Sequence, residues 1–249
     1  MTHSHFIKRK LKNMKKLLIA LMMFAGITVA QAQVSGNLGL TSDYRFRGVS
    51  QTQNAPAVQG GIDYNHVSGL YIGNWNSSVS SQLYTNGAGV ESDVYAGFRK
   101  QVFGNFTLDV GTMNYFYPRA GTNGSFDTNE IFAGIGYKEL ITVKYSHALS
   151  DYFGTANSKN SFYVQADAAI PLARNLQLVA HIGHTNVANS SSLDYTDYNV
   201  GLGYDLKGWN LAAKYYINDN KTSTFMTANT VGGQKLYKDA LVFSVAKSF

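Results

Sequence analysis

The sequence predicts an all-β protein: a closed antiparallel transmembrane β-barrel of about 12 strands that follows a cleaved signal peptide. Three observations lead to this prediction. The N-terminus has the composition of an export signal, polar and apolar side chains alternate along the rest of the chain, and long connections alternate with short turns. With 249 residues, the chain is long enough for one large all-β domain.

Residues 1–32 have the composition of a signal peptide. Six basic residues precede an apolar run of 14 residues at positions 17–30, and Ala30-Gln31-Ala32 gives the small-x-small pattern of a cleavage site. The run is too short to cross a bilayer as a helix, which needs roughly 20 residues. Met14, followed by two lysines, is an alternative start that makes the signal more compact. We therefore expect a signal peptide at residues 1–32 and the barrel at residues 33–249.

The excess positive charge of the chain lies in that signal. The whole chain has 21 Lys and Arg against 15 Asp and Glu, whereas residues 33–249 carry 15 of each. A nucleic-acid-binding surface needs clustered bases, so no nucleic-acid partner is expected. There is no cysteine, which excludes disulfides, thiolate metal sites and a lipid anchor on a cysteine. No cofactor is expected.

Two-residue alternation begins at Val34 and continues to the C-terminus. The apolar members of the first segment extend through Tyr44 and Phe46, so the first strand is expected to reach Phe46. The segment at residues 70–75 is strand-like, but its two faces are hard to tell apart. The apolar sets of the twelve segments begin, in order, at Val34, Val58, Leu70, Val90, Phe106, Ile131, Ile141, Phe162, Leu176, Tyr198, Trp209 and Leu241.

Long and short connections alternate between these segments. Outer-membrane barrels have short periplasmic turns and longer outer loops. The architecture of a soluble β-sandwich does not require long and short connections to alternate. An even number of strands also brings both termini to the same side of the barrel. Short turns are predicted at residues 66–69, 101–104, 138–139, 171–174 and 205–208, and long loops at 47–56, 77–89, 117–127, 149–160, 187–194 and 218–236.

Alternation alone does not say whether the apolar face points to lipid or to an interior cavity. The export signal and the aromatic content, 17 Tyr, 14 Phe and 2 Trp, favour lipid. The chain also ends in Phe249, on the parity of Leu241, Phe243 and Val245, which resembles the signal read by the outer-membrane assembly machinery; Lys247 departs from it. We expect the bacterial outer membrane, with its lipid and assembly machinery as partners. A soluble exported barrel is the alternative.

Several runs resemble the TorF-type porin family of proteobacteria. The most specific is the run at residues 42–52, SDYRFRGVSQT, followed by PAVQGGIDY at residues 56–64. The resemblance implies an outer-membrane barrel acting as a porin, and it brings neither an established substrate nor catalytic residues. Weaker matches lie at residues 69–75, 93–97, 115–118, 130 and 151–154.

Charged residues on the polar parity are the candidate functional residues. Arg45 and Arg47 flank Phe46 and are the first choice for a constriction; alternatively they bind Asp43, Asp63 or Asp93 and pin a pair of strands. Opposed charges orient a polar solute in a pore, whereas paired charges can simply fill a narrow interior. The predicted pore-lining set is Asp43, Arg45, Arg47, Asp63, Glu91, Asp93, Arg99, Asp109, Lys144, Asp167 and Lys214, with Asp197 on the same face.

The predicted function is an outer-membrane channel for passive diffusion of small polar or charged solutes. The alternative is a plugged structural or surface-interaction barrel without transport. Ser146 and His147 suggest an outer-membrane lipase, but adjacent strand residues face opposite ways, so this serine cannot serve that histidine and no enzyme is expected. His181 and His184 also face opposite ways, and no zinc site is expected.

Overall fold

Twelve antiparallel strands form one closed barrel in the structure, a computed structural model that describes residues 33–84, 87–119, 126–220 and 222–249. Each barrel strand pairs with its neighbours along the barrel, and the first pairs with the last, which confirms the predicted closed antiparallel barrel. The signal peptide predicted at residues 1–32 lies outside the described residues. In chain order the strands are β1 (Gln33–Thr41), β2 (Arg45–Phe46), β3 (Val49–Ser50), β4 (Ala57–Asn65), β5 (Leu70–Ser78), β6 (Val90–Phe103), β7 (Phe106–Phe116), β8 (Thr128–Tyr137), β9 (Ile141–Ala148), β10 (Phe162–Ala173), β11 (Leu176–Asn186), β12 (Tyr195–Leu206), β13 (Trp209–Asn218), β14 (Thr230–Val231), β15 (Gln234–Lys235) and β16 (Ala240–Ser248).

Four of these strands lie outside the barrel sheet. The pairs β2–β3 and β14–β15 are two-residue hairpins inside long connections. A 3-10 turn (Ser191–Leu193) lies in the connection between β11 and β12, and a short helix, α1 (Ser223–Ala228), lies in the same connection as β14–β15. The long connections share one end of the barrel, called the outer end below, and the short turns share the inner end.

The exterior of the barrel is apolar, as the alternation predicts. Leu38 and Leu40 of β1 are 58% and 55% exposed, and Ile62 of β4 is 57% exposed. The same parity supplies exposed Val, Ile, Leu, Tyr and Phe side chains from every barrel strand. An apolar outer face with a polar inner face is the pattern of a barrel surrounded by lipid. No helix in the described parts of the chain is long and apolar enough to cross a membrane.

The first strand is shorter than the sequence predicts. It ends at Thr41 rather than at Phe46, and Tyr44 points into the barrel, where it is only 8% exposed. The alternation continues past Thr41 because β2 is itself extended, although it pairs with β3 instead of with the wall. Period-two patterning identifies extended backbone but not its pairing partner, so the predicted assignment of Tyr44 and Phe46 to the lipid face is wrong.

Two turns at the inner end are tighter than predicted. β6 continues to Phe103, with a register shift between Gln101 and Phe103, so the turn contains only residues 104–105. Pro171 belongs to β10 instead of the predicted turn, and a second register shift separates it from Ala173. Ala169 donates its N–H to Leu140 on the β9 side, and Pro171, on the same parity, lies beyond the end of the β9–β10 pairing, so the proline removes no ladder hydrogen bond.

Three tyrosines of the inner wall lie flat across glycines of the neighbouring strand. Each hydroxyl reaches an aspartate one strand further on and donates a hydrogen bond of 2.6–2.9 Å to its carboxylate. A Cβ atom on the glycine would collide with the tyrosine ring or hydroxyl, so only glycine leaves room for the ring. The three sets are Tyr71–Gly97–Asp109, Tyr95–Gly73–Asp63 and Tyr163–Gly183–Asp197.

Candidate functional site: the occluded lumen

Residues 42–56, which connect β1 to β4, fold into the barrel and are called the lumen loop. Its β2–β3 hairpin turns at Arg47 and Gly48, both with positive φ (47° and 77°). This is the conformation of the tight hairpin turn that matches strand twist. A Cβ atom at Gly48 would lie 2.5 Å from the Cβ atom of Asp197 on β12, so the turn touches the barrel wall. The loop therefore extends from β1 across the interior.

Asp43 holds the lumen loop together from within. Its Oδ1 accepts hydrogen bonds from the hydroxyls of Ser50 (2.5 Å) and Thr52 (3.2 Å), and its Oδ2 accepts one from Nε of Arg45 (2.8 Å). Arg45 also donates to the carbonyl oxygens of Gly48 and Lys238. The hydrogen bonds of Asp43 lie within the loop, whereas Arg45 also binds Lys238 in the connection before β16.

Arg47 attaches the tip of the loop to the opposite wall. Its guanidinium makes a two-pronged ion pair with Glu130 on β8, with N–O distances of 2.9 and 2.7 Å, and donates a third hydrogen bond to the Tyr152 hydroxyl. It also stacks on the Tyr163 ring, 4.3 Å from the centroid. Burial by itself lowers the pKa of Arg47, but Glu130 and the neighbouring tyrosines raise it well above the ordinary value, so the guanidinium is charged.

Glu91 on β6 is the second buried carboxylate of the site. It accepts hydrogen bonds from the hydroxyls of Tyr44 (2.6 Å) and Tyr117 (2.9 Å) and is fully buried. Burial and the nearby Glu91 raise the pKa of both tyrosines well above the usual value, so they remain protonated donors. Asp93, two residues further along the inner face, is 5% exposed, and its Oδ1 has no hydrogen-bond partner among the described residues.

The lumen loop and its neighbours fill the outer part of the barrel around its whole circumference. Every one of the twelve barrel strands contributes at least one buried inward-facing side chain near its outer end. A water-filled passage at this level would leave some of them exposed, so the outer half of the lumen is closed. One such residue from each strand, in chain order, is Thr41, Ala57, Ser77, Glu91, Tyr115, Glu130, Ser146, Tyr163, Thr185, Asp197, Asn218 and Val242.

The inner half of the lumen is open and charged. Two cavities of about 390 and 240 Å³ lie there, and Lys214 of β13 lines both. Arg174 and Asp205 line the first, while Asp167 and His181 line the second. His181 lies between two carboxylates, 2.6 Å from Asp167 and 3.2 Å from Asp197. This half offers charges of both signs to a solute.

The predicted pore-lining residues occupy two different places. Asp43 and Arg45 lie in the lumen loop rather than on the first strand, which corrects the assignment made from the alternation, whereas Arg47 lies in a long connection as predicted. Arg45 does pair with Asp43, one of the partners considered for it, whereas Arg47 pairs with a residue outside that group. The others lie on the inner face of barrel strands: Asp63, Glu91, Asp93, Arg99, Asp109, Lys144, Asp167 and Lys214.

Several of these wall residues are already paired. Arg99 and Asp109 form an ion pair of 2.8 Å across β6 and β7. Lys144 lies over the Phe132 ring, 5.5 Å from its centroid. Asp63 accepts the hydrogen bond of Tyr95. No group of three or more His, Asp or Glu side chains within the described ranges is arranged to hold a metal ion.

Glu130 is the residue of this site that the predicted pore-lining set omits, although position 130 is among the weaker family matches. It precedes Ile131, so the alternation already assigns it to the inner face of β8. Its importance comes from Arg47, which lies 83 positions earlier in the chain. Tyr152 and Tyr163 complete the Arg47 site. Tyr163 lies on the polar parity of its strand and Tyr152 in a predicted long loop, but neither signal identifies Arg47 as their partner.

Known structures share this architecture at very low sequence identity. The barrel is similar to a structure described as KdgM porin, with a TM-score of 0.54 and 9% identity over 86% of this chain and 98% of that one. It is equally similar to the NanC porin, with a TM-score of 0.54 and 9% identity over 87% and 99% of the two chains. No curated protein matches the sequence. These similarities establish the fold.

The barrel fold and its apolar belt are those of an outer-membrane protein, and the chain is localised in the bacterial outer membrane. A sequence-family model matches residues 27–249, which include all the barrel strands. The chain therefore belongs to the family described as "Bacterial protein of unknown function (Gcw_chp)".

Proposed function

We propose that this barrel is an outer-membrane channel for small polar or charged solutes, and that the lumen loop is its gate in a closed position. The observation that carries the proposal is the contrast between the two halves of the lumen. A closed outer half lies above an open inner half lined by charges of both signs. A barrel built only as a scaffold has no need for a hydrated, charged inner chamber.

The way in which the loop is attached supports a gate. Backbone hydrogen bonds tie it to the rest of the described chain at Ser42, Ser50 and Gln51. At the hairpin turn itself, the contact with β8 is the Arg47–Glu130 ion pair, which is made by side chains alone. Side-chain contacts can be exchanged without dismantling the sheet, so the loop can move while the wall stays intact.

In the open channel, the charged residues of the wall set solute preference. Charges of both signs lie on the inner face of the wall, and together they orient polar solutes. They are Lys144, Lys214, Asp63, Asp167 and the Arg99–Asp109 pair. Asp43, Arg45, Arg47, Glu91 and Asp93 form the constriction around the loop. The resemblance to TorF-type porins and the porin folds of the similar structures support this function. It requires no enzyme activity.

A plugged barrel without transport is the second candidate. The complete ring of buried side chains at the outer end favours it, because nothing passes a barrel that never leaves this state. The two candidates differ in one measurable property. A gate opens at some frequency and a permanent plug does not.

Conductance of the purified protein in a planar bilayer separates the candidates. We expect the unmodified protein to be closed most of the time, with brief openings. Glu130→Gln and Arg47→Ala each remove one partner of a buried ion pair, so we expect them to raise the open probability by about tenfold or more. Arg99→Ala is the matched control, because it breaks the exposed ion pair with Asp109 and leaves the lumen loop in place.

The outcomes are distinct. Inserted barrels that never conduct in any variant would establish the plugged barrel. An open probability that rises equally in the Arg99→Ala control would remove the gating role of the loop, and a channel would remain. Insertion is checked by the shift in gel mobility that heating causes in folded outer-membrane barrels.

A further inference from the structure

A partly open cavity of about 250 Å³ lies among the connections at the outer end. Its floor is the lumen loop, where Phe46 and Val49 lie on either side of the hairpin turn. All five other long connections contribute to its walls, among them α1 through Phe225 and Ala228. The cavity is separate from the inner chamber, since the buried ring and the Arg47–Glu130 pair lie between them.

The lining of this cavity is aromatic and uncharged. Among the described residues, nineteen line the cavity; eight of these are Phe or Tyr, and none is Asp, Glu, Lys or Arg. This differs from the inner chamber, where Lys214, Arg174 and Asp167 are exposed to the open space. A charged ligand would lose its hydration here without gaining a partner, so the lining selects a neutral one.

Most polar groups of the lining are already engaged. The Tyr84 hydroxyl donates to the Gln51 side chain (2.9 Å), and the Tyr117 hydroxyl donates to Glu91 (2.9 Å). The Ser50 hydroxyl donates to Asp43 (2.5 Å). Ring faces and aliphatic carbons are therefore what the cavity offers. A sugar, which needs many hydrogen bonds, would find few free partners, whereas an aromatic ring would find rings to pack against.

The volume fits a ligand of that kind. An apolar cavity of about 150 Å³ accommodates benzene, and the space here, about 250 Å³, is large enough for one substituted or fused ring. We infer that the outer end carries a binding site for a small, neutral aromatic molecule, held between the lumen loop and α1. The inference does not depend on conduction, because it concerns a site that exists in the closed state.

Indole is a suitable probe, with benzoate as the charged analogue and glucose as the hydroxyl-rich one. Binding is measured by saturation-transfer NMR and calorimetry on the folded barrel in detergent. Ala228 lines the cavity and is exposed, so Ala228→Trp adds a large side chain there without disturbing the core. Thr227→Trp is the matched control, since it places the same side chain one position earlier, outside the lining.

We expect indole to bind the unmodified protein and the Thr227→Trp control alike, and Ala228→Trp to weaken binding by about tenfold or more. Equal uptake by all three proteins would mean partition into detergent and would overturn the site. If benzoate bound more tightly than indole, the site would not select neutral ligands. If glucose bound more tightly than indole, the ligand would not be an aromatic molecule. Each outcome leaves the conductance test of the channel unaffected.

Discussion

At the scale of single residues, Arg47 decides where the lumen loop lies. Three partners surround its guanidinium: the Glu130 carboxylate, the Tyr152 hydroxyl and the face of Tyr163. The planar guanidinium of an arginine can donate two parallel hydrogen bonds to a carboxylate and stack on an aromatic ring at the same time. The ammonium group of a lysine cannot do both. The charge is buried yet fully partnered, and this is the condition under which a buried ion pair is tolerated.

The tyrosine–glycine–aspartate sets of the wall lead to a stability prediction at the same scale. Gly183→Ala places a methyl group on the Tyr163 hydroxyl and should displace the ring from Asp197 and Arg47. We expect a loss of about 1–3 kcal/mol in the free energy of unfolding, measured by urea titration of the folded barrel. Gly136→Ala is the control, because its nearest neighbour would be an ordinary 3.5 Å contact. Equal losses in both variants would contradict the packing role of Gly183.

At the scale of elements, the lumen loop is a folded unit with its own hairpin and its own polar centre at Asp43. Its tip is fixed by lack of space as well as by charge, since Gly48 has a positive φ and lies against Asp197. Glycine is the residue that adopts this backbone without a Cβ clash. The loop is thus predicted to be displaced by one substitution at its turn while the sheet remains intact.

Trypsin tests the displacement of the loop. Gly48→Val should push the hairpin away from β12 and make the peptide bonds after Arg45 and Arg47 accessible, because both side chains are buried in the folded loop. Mass spectrometry of the fragments identifies these cuts. Gly208→Val is the control with the same backbone strain (φ 85°) and no neighbour within 4 Å of the new Cβ. Protection of both arginines in Gly48→Val would contradict the tight fit.

At the scale of the whole molecule, closure of the sheet depends on the two ends of the chain. β1 pairs with β16, and the backbone of Phe249 exchanges two hydrogen bonds with Gly36. The Phe249 ring itself is 78% exposed and points away from the core. Recognition of this ring by the outer-membrane assembly machinery stays a prediction from the sequence.

Removal of the Phe249 ring should therefore affect assembly more than stability. We expect Phe249→Ala to reduce the amount of barrel in the outer membrane of cells, while refolding of the purified protein in detergent proceeds as before. Phe103→Ala, which removes another exposed ring near the inner end, is the control. If both variants reach the membrane at the level of the unmodified protein, the role of Phe249 as an assembly signal is wrong.

The sequence by itself determined the class of this protein. Alternation along the chain and the rhythm of its connections were enough to predict about twelve strands, and the export signal, the aromatic content and the C-terminal pattern then assigned the apolar parity to lipid. These are local properties, because the pleat repeats every two residues and lipid imposes the same requirement on every strand. The charges of the inner wall could be listed for the same reason.

The tertiary structure decided what closes the lumen. Residues 42–46 alternate as a strand does, and nothing local says that they leave the wall and pair with β3. The partner of Arg47 lies 83 positions away, and the fit of Gly48 depends on Asp197, which a pattern of spacing cannot reveal. Alternation predicts on which face of an extended segment a residue lies. Whether that segment joins the barrel wall or folds into the lumen depends on contacts that exist only after the barrel has closed.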